Sequence, residues 1–210
     1  NVDRTWEPAV EITELNEYRL RYNSYRLDYA LRKLHQNFPW ICIWDDHETA
    51  NDAYTGGAGN HQGNEGPWNQ RMEAGKRAYF EWIPIRPKAP GNQEIFRTFE
   101  LGDLAKIIML DTRLEGREEQ LGANDPNFSD TSRTLLGATQ FNWFKNELST
   151  TTQPWKIIGN QVMIGAVEIL GNPINTDSWD GYPAERQKLF DHLSTNNIDN
   201  TVVLTGDIHT

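Results

Sequence analysis

The sequence has 210 residues, of which 37% are hydrophobic and 24% are charged, values typical of a folded domain rather than a disordered chain. Its net charge of −10 at pH 7 argues against nucleic acid as a partner, because binding a phosphate backbone requires a basic face. No apolar run reaches the length of a membrane span. We therefore predict a single, monomeric domain over residues 1–210, with carboxylates suited to hard metal ions.

The first predicted element is an amphipathic helix over residues 13–36, with Thr13 as its N-cap. Its apolar stripe contains Leu15, Tyr18, Tyr22, Tyr25 and Tyr29. Its basic residues are interpreted as a solvated face; they are Arg19, Arg21, Arg26, Arg32 and Lys33.

Pro39 ends this helix, and the apolar run of residues 40–44 predicts a strand that is buried on both faces. The only cysteine, Cys42, lies within that run and is expected to be a buried apolar side chain. The glycine-rich residues 54–66 predict a surface loop near the functional site, because they lack the lysine of a nucleotide-binding loop. A helix is expected over residues 69–82.

The second half of the chain predicts an antiparallel hairpin of strands 94–101 and 105–110 around a tight turn, followed by a polar loop at 115–134. Helices and strands then alternate, which indicates an α/β fold. The predicted elements are a helix at 139–148, a strand at 155–159, a helix at 183–194 that begins with Pro183, and a strand at 201–205.

Polar residues follow four of the predicted strands. These segments are 45–48 (DDHE), 111–113 (DTR), 159–161 (GNQ) and 206–209 (GDIH). In open α/β sheets, ligands bind beyond the carboxyl ends of the strands. If the strands are neighbours and roughly parallel, the four segments converge on one site.

The residue types in these segments fit metal chemistry. Aspartate and asparagine oxygens bind hard cations, and histidine binds transition metals. The adjacent Asp45 and Asp46 would repel each other unless a cation or an arginine compensates their charge. A solvated acidic loop is the alternative. Arg113 is placed either to hold a phosphate oxygen or to pair with Asp111.

The order of the motifs resembles the PhoD-like alkaline phosphatases. The matching segments are 38–48 (FPWICIWDDHE), 78–86 (AYFEWIPIR), 110–113 (LDTR), 133–137 (RTLLG), 155–163 (WKIIGNQVM), 179–186 (WDGYPAER) and 204–209 (LTGDIH). The resemblance covers nearly the whole chain, and the set is specific because all segments occur in family order.

The resemblance implies a metallophosphatase-type α/β fold, in which two mixed β-sheets are sandwiched between layers of helices (α/β/β/α). It also implies a phosphomonoesterase or phosphodiesterase that uses iron and calcium and is exported to a periplasmic or extracellular location. The family's earlier segment, with a cysteine and a Gly-Asp-x-x-Tyr motif, does not occur in the sequence. We therefore expect the chain to be an incomplete part of a longer protein, and expect that the chain alone does not assemble the full metal centre and is inactive.

By motif position, the resemblance assigns metal ligands and groups that contact the substrate. Either Asn51 or Asp52 is expected to supply a further metal oxygen, and His47 is the candidate proton donor. Arg113, Asn160 and Asp180 match family motifs and are assigned to substrate binding. The remaining metal assignments are Asp45, Asp46, Asp207 and His209.

The sequence thus predicts hydrolysis of a small or polymeric phosphate ester by a metal-activated water. A secreted metal- or carbohydrate-binding module without catalytic activity is the alternative, because the 23 aromatic side chains (8 Trp, 7 Tyr and 8 Phe) can also form a sugar-binding surface. The choice between monoesters and diesters stays open.

Overall fold

The computed structural model of the protein describes residues 6–207. Its first half is helical, and no helix in the described range is both long and apolar enough to cross a membrane. The helices are α1 (Leu15–Arg26), α2 (Tyr29–Asn37) and α3 (Trp68–Trp82), with a 3-10 helix at Asp46–Glu48 between α2 and α3. The predicted helix at 69–82 is confirmed by α3.

The prediction of one helix over residues 13–36 is wrong, because two helices meet at Leu27 and Asp28. The Asp28 carboxylate accepts a hydrogen bond from the backbone N–H of Leu31 at 2.9 Å and caps α2. The N-cap of α1 is Glu14 rather than Thr13, and Glu14 forms a capping box with Glu17. An aspartate inside an amphipathic pattern can therefore start a new helix.

The second half of the chain forms a mixed sheet flanked by helices, which confirms the predicted α/β class. The elements are β1 (Arg97–Leu101), β2 (Ala105–Met109), α4 (Gly137–Thr150), β3 (Trp155–Asn160), β4 (Glu168–Ile169), β5 (Asn172–Pro173), α5 (Pro183–Thr195) and β6 (Thr201–Thr205). The main sheet has the order β1-β2-β3-β6, in which only β1 runs antiparallel to its neighbour. Strands β4 and β5 form a separate antiparallel ribbon that was not predicted.

The predicted strand at residues 40–44 is wrong, since this segment is extended but belongs to no sheet in the described structure. Trp44 packs edge-on against Tyr79 of α3 with a ring separation of 5.4 Å, whereas Trp40 and Ile41 are exposed. The side chain of Gln161 ties the segment to the sheet by donating to the Trp44 carbonyl at 2.9 Å. A continuous apolar run predicts burial, but it does not supply a neighbouring strand for its backbone.

The main core lies between the sheet and helices α4 and α5. Phe144 and Leu148 of α4 and Leu189 of α5 pack with Ile108 of β2 and Ile158 of β3. Because β2, β3 and β6 run parallel to one another, their carboxyl ends lie at the same end of the sheet.

The long polar loop at 115–134 is closed at its base by two glycines. Gly116 and Gly137 both have positive φ values, of 80° and 67°. A Cβ atom at position 116 would lie 2.6 Å from the Gly137 Cα, so the two backbones touch where no side chain fits.

Candidate metal-binding site

Gln161 joins three of the four polar segments that the sequence places beyond the strands. Its side-chain amide donates to the carbonyls of Trp44 and Leu110, at 2.9 and 2.7 Å. Its side-chain oxygen accepts from the Thr112 hydroxyl at 2.9 Å, and its backbone carbonyl accepts from the Asp207 N–H at 3.0 Å. The segments after residue 44, after β2 and after β6 therefore converge at the end of β3.

Three carboxylates gather close to this convergence. One oxygen each from Asp46, Asp52 and Asp177 lies within 4.8 Å of the others. Asp46 and Asp177 are buried, and Asp52 is partly exposed. Carboxylate oxygens at this spacing repel one another, and they form the donor set that hard cations such as Ca²⁺ bind.

The backbone around Asp52 is shaped to bring its carboxylate to the cluster. Asp52 has a φ of 55°, a left-handed conformation that aspartate tolerates better than most residues. Its N–H donates to a carboxylate oxygen of Asp46 at 2.8 Å. Gly59 of the glycine-rich loop packs against the Asp52 carboxylate, where a Cβ would lie 3.0 Å from Oδ2. The loop therefore lies beside the site, as the sequence predicts.

The proximity of the carboxylates changes the acidity of Asp52. Burial raises the pKa of its carboxyl group, and the negative charges of Asp177 and Asp46 add to the rise. The positive charges of Arg113 and Arg117 oppose it. A cation between the carboxylates would reverse this effect and favour the charged form.

Two buried arginines compensate part of the negative charge. The Arg113 guanidinium donates to Asp45 at 2.5 Å and to Asp177 at 2.8 Å, and it lies 3.7 Å from Asp46. Arg117 donates to the same Asp177 oxygen at 2.5 Å. Four carboxylates thus surround two guanidinium groups, which leaves an excess of two negative charges. A divalent cation would neutralise this excess.

Several predicted site residues lie at the edge of the carboxylate cluster. Asp45 pairs with Arg113 rather than pointing into the group of three oxygens. Asn51 is exposed, and its backbone carbonyl accepts from Gly59. The imidazole of His47 is 74% exposed, and its Nε2 lies 3.9 Å from Asp46 Oδ2. The expected Asp111–Arg113 contact is made by the backbone N–H of Arg113, which donates to the Asp111 carboxylate at 2.9 Å. It is not an ion pair with the guanidinium group.

Asn160 and Asp180 are both buried and both occupied by contacts within the protein. The Asn160 side chain donates to the Val162 carbonyl and accepts from the Trp179 indole at 3.1 Å. Asp180 pairs with Arg186 and accepts from the Val167 N–H at 2.9 Å. These contacts fix the chain around the site.

The last segment is described as far as Asp207, which is exposed and follows β6. Its predicted companion His209 lies outside the described residues.

Sequence reasoning missed Asp177, Arg117 and Gln161. Asp177 and Arg117 lie in irregular segments without a preceding strand, and only the distances between the folded segments bring them to the site. Gln161 does follow a predicted strand. Its position after Asn160 in a strand-end segment was the signal that could have identified it.

Comparison with known proteins gives consistent matches over this region. The model of the PhoD-like phosphatase family matches residues 1–210. Alkaline phosphatase D of Bacillus subtilis (strain 168) is 37% identical over 214 residues, which cover 96% of this chain and 36% of the relative. A solved structure of PhoD superposes with a TM-score of 0.84 at 34% identity, over 95% of this chain and 40% of that one. The chain thus spans less than half the length of both.

Proposed function

Because the chain belongs to the PhoD-like phosphatase family, we propose that the protein hydrolyses phosphate esters with the help of metal ions bound at the carboxylate cluster. The observation that carries the proposal is the group of three carboxylate oxygens from Asp46, Asp52 and Asp177. Their donor chemistry fits a hard cation, and the mutual repulsion of their negative charges favours one.

Asp46, Asp52 and Asp177 would hold the cation, and we propose Asp45 and Asp207 as further ligands. We propose calcium for the oxygen-rich cluster, and iron for a site that also uses His209 and residues outside this chain. A metal bound there would supply positive charge to offset the phosphoryl group and would lower the pKa of a water molecule used for attack.

The side chains of this chain have separate tasks in the proposed reaction. His47 is exposed beside Asp46, and its imidazole would give a proton to the oxygen of the leaving group. Arg113 holds Asp45 and Asp177 in place, and its guanidinium adds positive charge behind the cluster. Asn160 and Asp180 would act by fixing the surrounding loops, since their polar atoms contact Trp179 and Arg186.

The substrate class follows from the same site. We propose a phosphate monoester or diester, either small or polymeric, because the family is one of phosphatases. The negative charge of such a substrate would be offset at the carboxylate cluster by the bound metal. We also propose that the protein acts outside the cytoplasm, as the family resemblance implies.

The test is hydrolysis of p-nitrophenyl phosphate and bis-p-nitrophenyl phosphate by the purified full-length protein that contains this chain, after chelation and again after adding iron and calcium. Turnover is expected only with metal. Asp52→Asn should lower the metal-dependent rate by at least about tenfold, because it removes one charged ligand. Asp191→Asn on the exposed face of α5 removes the same charge away from the site and is the matched control.

Two results would contradict the proposal. One is full activity of the Asp52→Asn protein. The other is a folded protein that turns over neither substrate with any metal, which would favour a binding module. The ratio of the two rates reports the preference for monoesters or diesters.

A further inference from the structure

A second polar cleft borders the surroundings of the carboxylate cluster, since His47 and Glu48 line it. It has a volume of about 390 Å³ and opens between α1, α2 and the 3-10 helix. Four basic side chains line it, and Glu48 is the single carboxylate among the described lining residues. The four are Arg21, Arg26, His35 and His47. We call this space the arginine cleft.

Both arginines of the cleft are held in place by backbone carbonyls. Arg21 donates to the carbonyls of Glu7 and Pro8, at 3.2 and 2.9 Å. Arg26 donates to the carbonyl of Trp82 at 3.1 Å. These contacts fix the guanidinium groups without neutralising their charge. Each guanidinium group has five N–H donors, so several donors remain for a ligand.

The charge of these two arginines is not compensated within the described residues, where neither lies within 4.0 Å of a carboxylate oxygen. Several other half-buried or buried arginines differ, although Arg97 and Arg133 also donate to backbone carbonyls without an ion pair among the described residues. Arg19 pairs with Glu81, Arg71 pairs with Glu11 and Glu65, and Arg113 pairs with three aspartates. The arginine cleft thus brings together two arginines that have no carboxylate oxygen within 4.0 Å among the described residues, in a chain with 30 Asp and Glu against 20 Lys and Arg residues.

The positive surface continues beyond the arginine cleft. A neighbouring cleft of about 490 Å³ shares Arg26 and His35 with it and adds Arg32 and Lys33. No carboxylate lines this second space among the described residues. The region therefore attracts anions, although the chain as a whole carries a net charge of −10.

Tyr22 also lines the arginine cleft. Its ring stacks on Trp82 at a centroid distance of 6.3 Å, which fixes its position. The hydroxyl is buried and has no hydrogen-bond partner in the described part of the chain. A buried hydroxyl without a partner is costly unless a ligand or water completes it.

We propose that the arginine cleft, which shares His47 with the surroundings of the carboxylate cluster, is an anion-binding site of its own and takes a phosphate- or sulfate-type oxyanion. Two fixed guanidinium groups offer charge-assisted hydrogen bonds to such an oxyanion. The anion is either free in solution or the terminal group of a larger molecule. This site stands on the charge and packing of α1 and α2, whether or not the carboxylate cluster supports hydrolysis.

The test is calorimetric titration of inorganic phosphate into the purified protein after chelation. Without a cation the carboxylate cluster repels anions, so binding then reports on the arginine cleft. Binding is expected, and Arg26→Gln should weaken it by about tenfold or more, since a charged hydrogen bond is lost. Arg77→Gln changes an exposed arginine of α3 outside the cleft and should leave the affinity within about twofold.

Arg21→Gln is the second variant, in case Arg26→Gln disturbs the contact between α1 and Trp82. The unfolding temperature of each variant is measured alongside. The proposal is overturned if the folded, chelated protein does not bind phosphate, or if both cleft variants bind it like the unchanged protein. Hydrolysis of p-nitrophenyl phosphate is measured separately, so a failed anion site and a failed phosphoesterase give different results.

A parallel titration with phenylphosphonate distinguishes the two sources of the anion. Tighter binding than that of inorganic phosphate indicates the terminal group of a larger molecule, because the apolar ring would contact the tyrosines of the cleft. Equal affinity indicates the free ion. Trp40, which stacks on His35 at 4.2 Å, gives a fluorescence signal for either ligand.

Discussion

The sheet-centred half of the molecule and its helical half bury their apolar residues to different extents. In the sheet-centred half, Phe144 of α4 is fully buried between the helix and the sheet. In the helical half, Leu27, Tyr29 and Phe38 are 72%, 66% and 60% exposed. Both halves have amphipathic helices, so amphipathicity alone does not decide burial. In the helical half, Tyr18 and Tyr79 are buried where α1 packs against α3, whereas α2 has no buried residue. A packed element on the apolar side, either a sheet or a helix, therefore decides burial.

The largest expected effect is on the core of the sheet-centred half. Phe144→Ala should lower the free energy of unfolding by about 3–5 kcal/mol, because it leaves a cavity between α4 and the sheet. Phe38→Ala makes the same change at an exposed site after α2 and should stay within about 0.5 kcal/mol. Chemical denaturation of both variants measures the difference. Equal losses would show that the helical half is covered in solution.

A smaller effect is expected at the joint between the two halves. Gln161→Leu removes the hydrogen bonds to Trp44, Leu110 and Thr112, and should cost about 2 kcal/mol since buried polar groups lose their partners. Gln187→Leu on the exposed face of α5 is the control. Hydrogen exchange should quicken at residues 44–52 in the first variant only. Unchanged exchange there would mean that Trp44 is held by its ring contacts alone.

The smallest effect is expected for the surface ion pair between α1 and α3. The hydrogen bond from Arg19 lowers the pKa of Glu81 from its ordinary value of 4.5 to about 2. The pair therefore stabilises the folded state above pH 4.5, and its contribution is lost as the pH falls toward 2. Glu81→Gln should cost at most about 1 kcal/mol at pH 7.

Urea unfolding of the Glu81→Gln protein and the unchanged protein at several pH values checks this prediction. The difference between them should shrink as the pH is lowered. A difference that does not depend on pH would assign the effect to packing instead of charge.

The sequence predicts the sheet-centred half well because its signals are local. The hairpin of β1 and β2, the Pro183 start of α5 and the apolar run of β6 each depend on a few neighbouring residues. The run at 40–44 has the same composition as a buried strand. Whether it forms a strand depends on whether another strand lies beside it. Composition carries no information on that neighbour.

The candidate metal-binding site was predictable only in part, for the same reason. Asp46 and Asp52 follow an apolar run, and their types and spacing pointed to a cation site. Asp177 comes from an irregular segment far along the chain, and Arg117 from a polar loop. Their contact with each other, at 2.5 Å, exists only because the loops fold over the end of the sheet. Long-range contacts of this kind leave no periodic pattern in the sequence.

The contact between Gly116 and Gly137 has a consequence for how the long loop can vary. The two glycines hold the ends of residues 117–136 together, and the Glu118 N–H donates to the Thr134 carbonyl at 3.1 Å just inside them. The loop is therefore closed at its base. Doubling the length of such a loop costs only about 0.6 kcal/mol in closure entropy. Insertions near residue 125 would thus lengthen the loop without displacing Arg113 or α4, as long as Gly116 and Gly137 are kept.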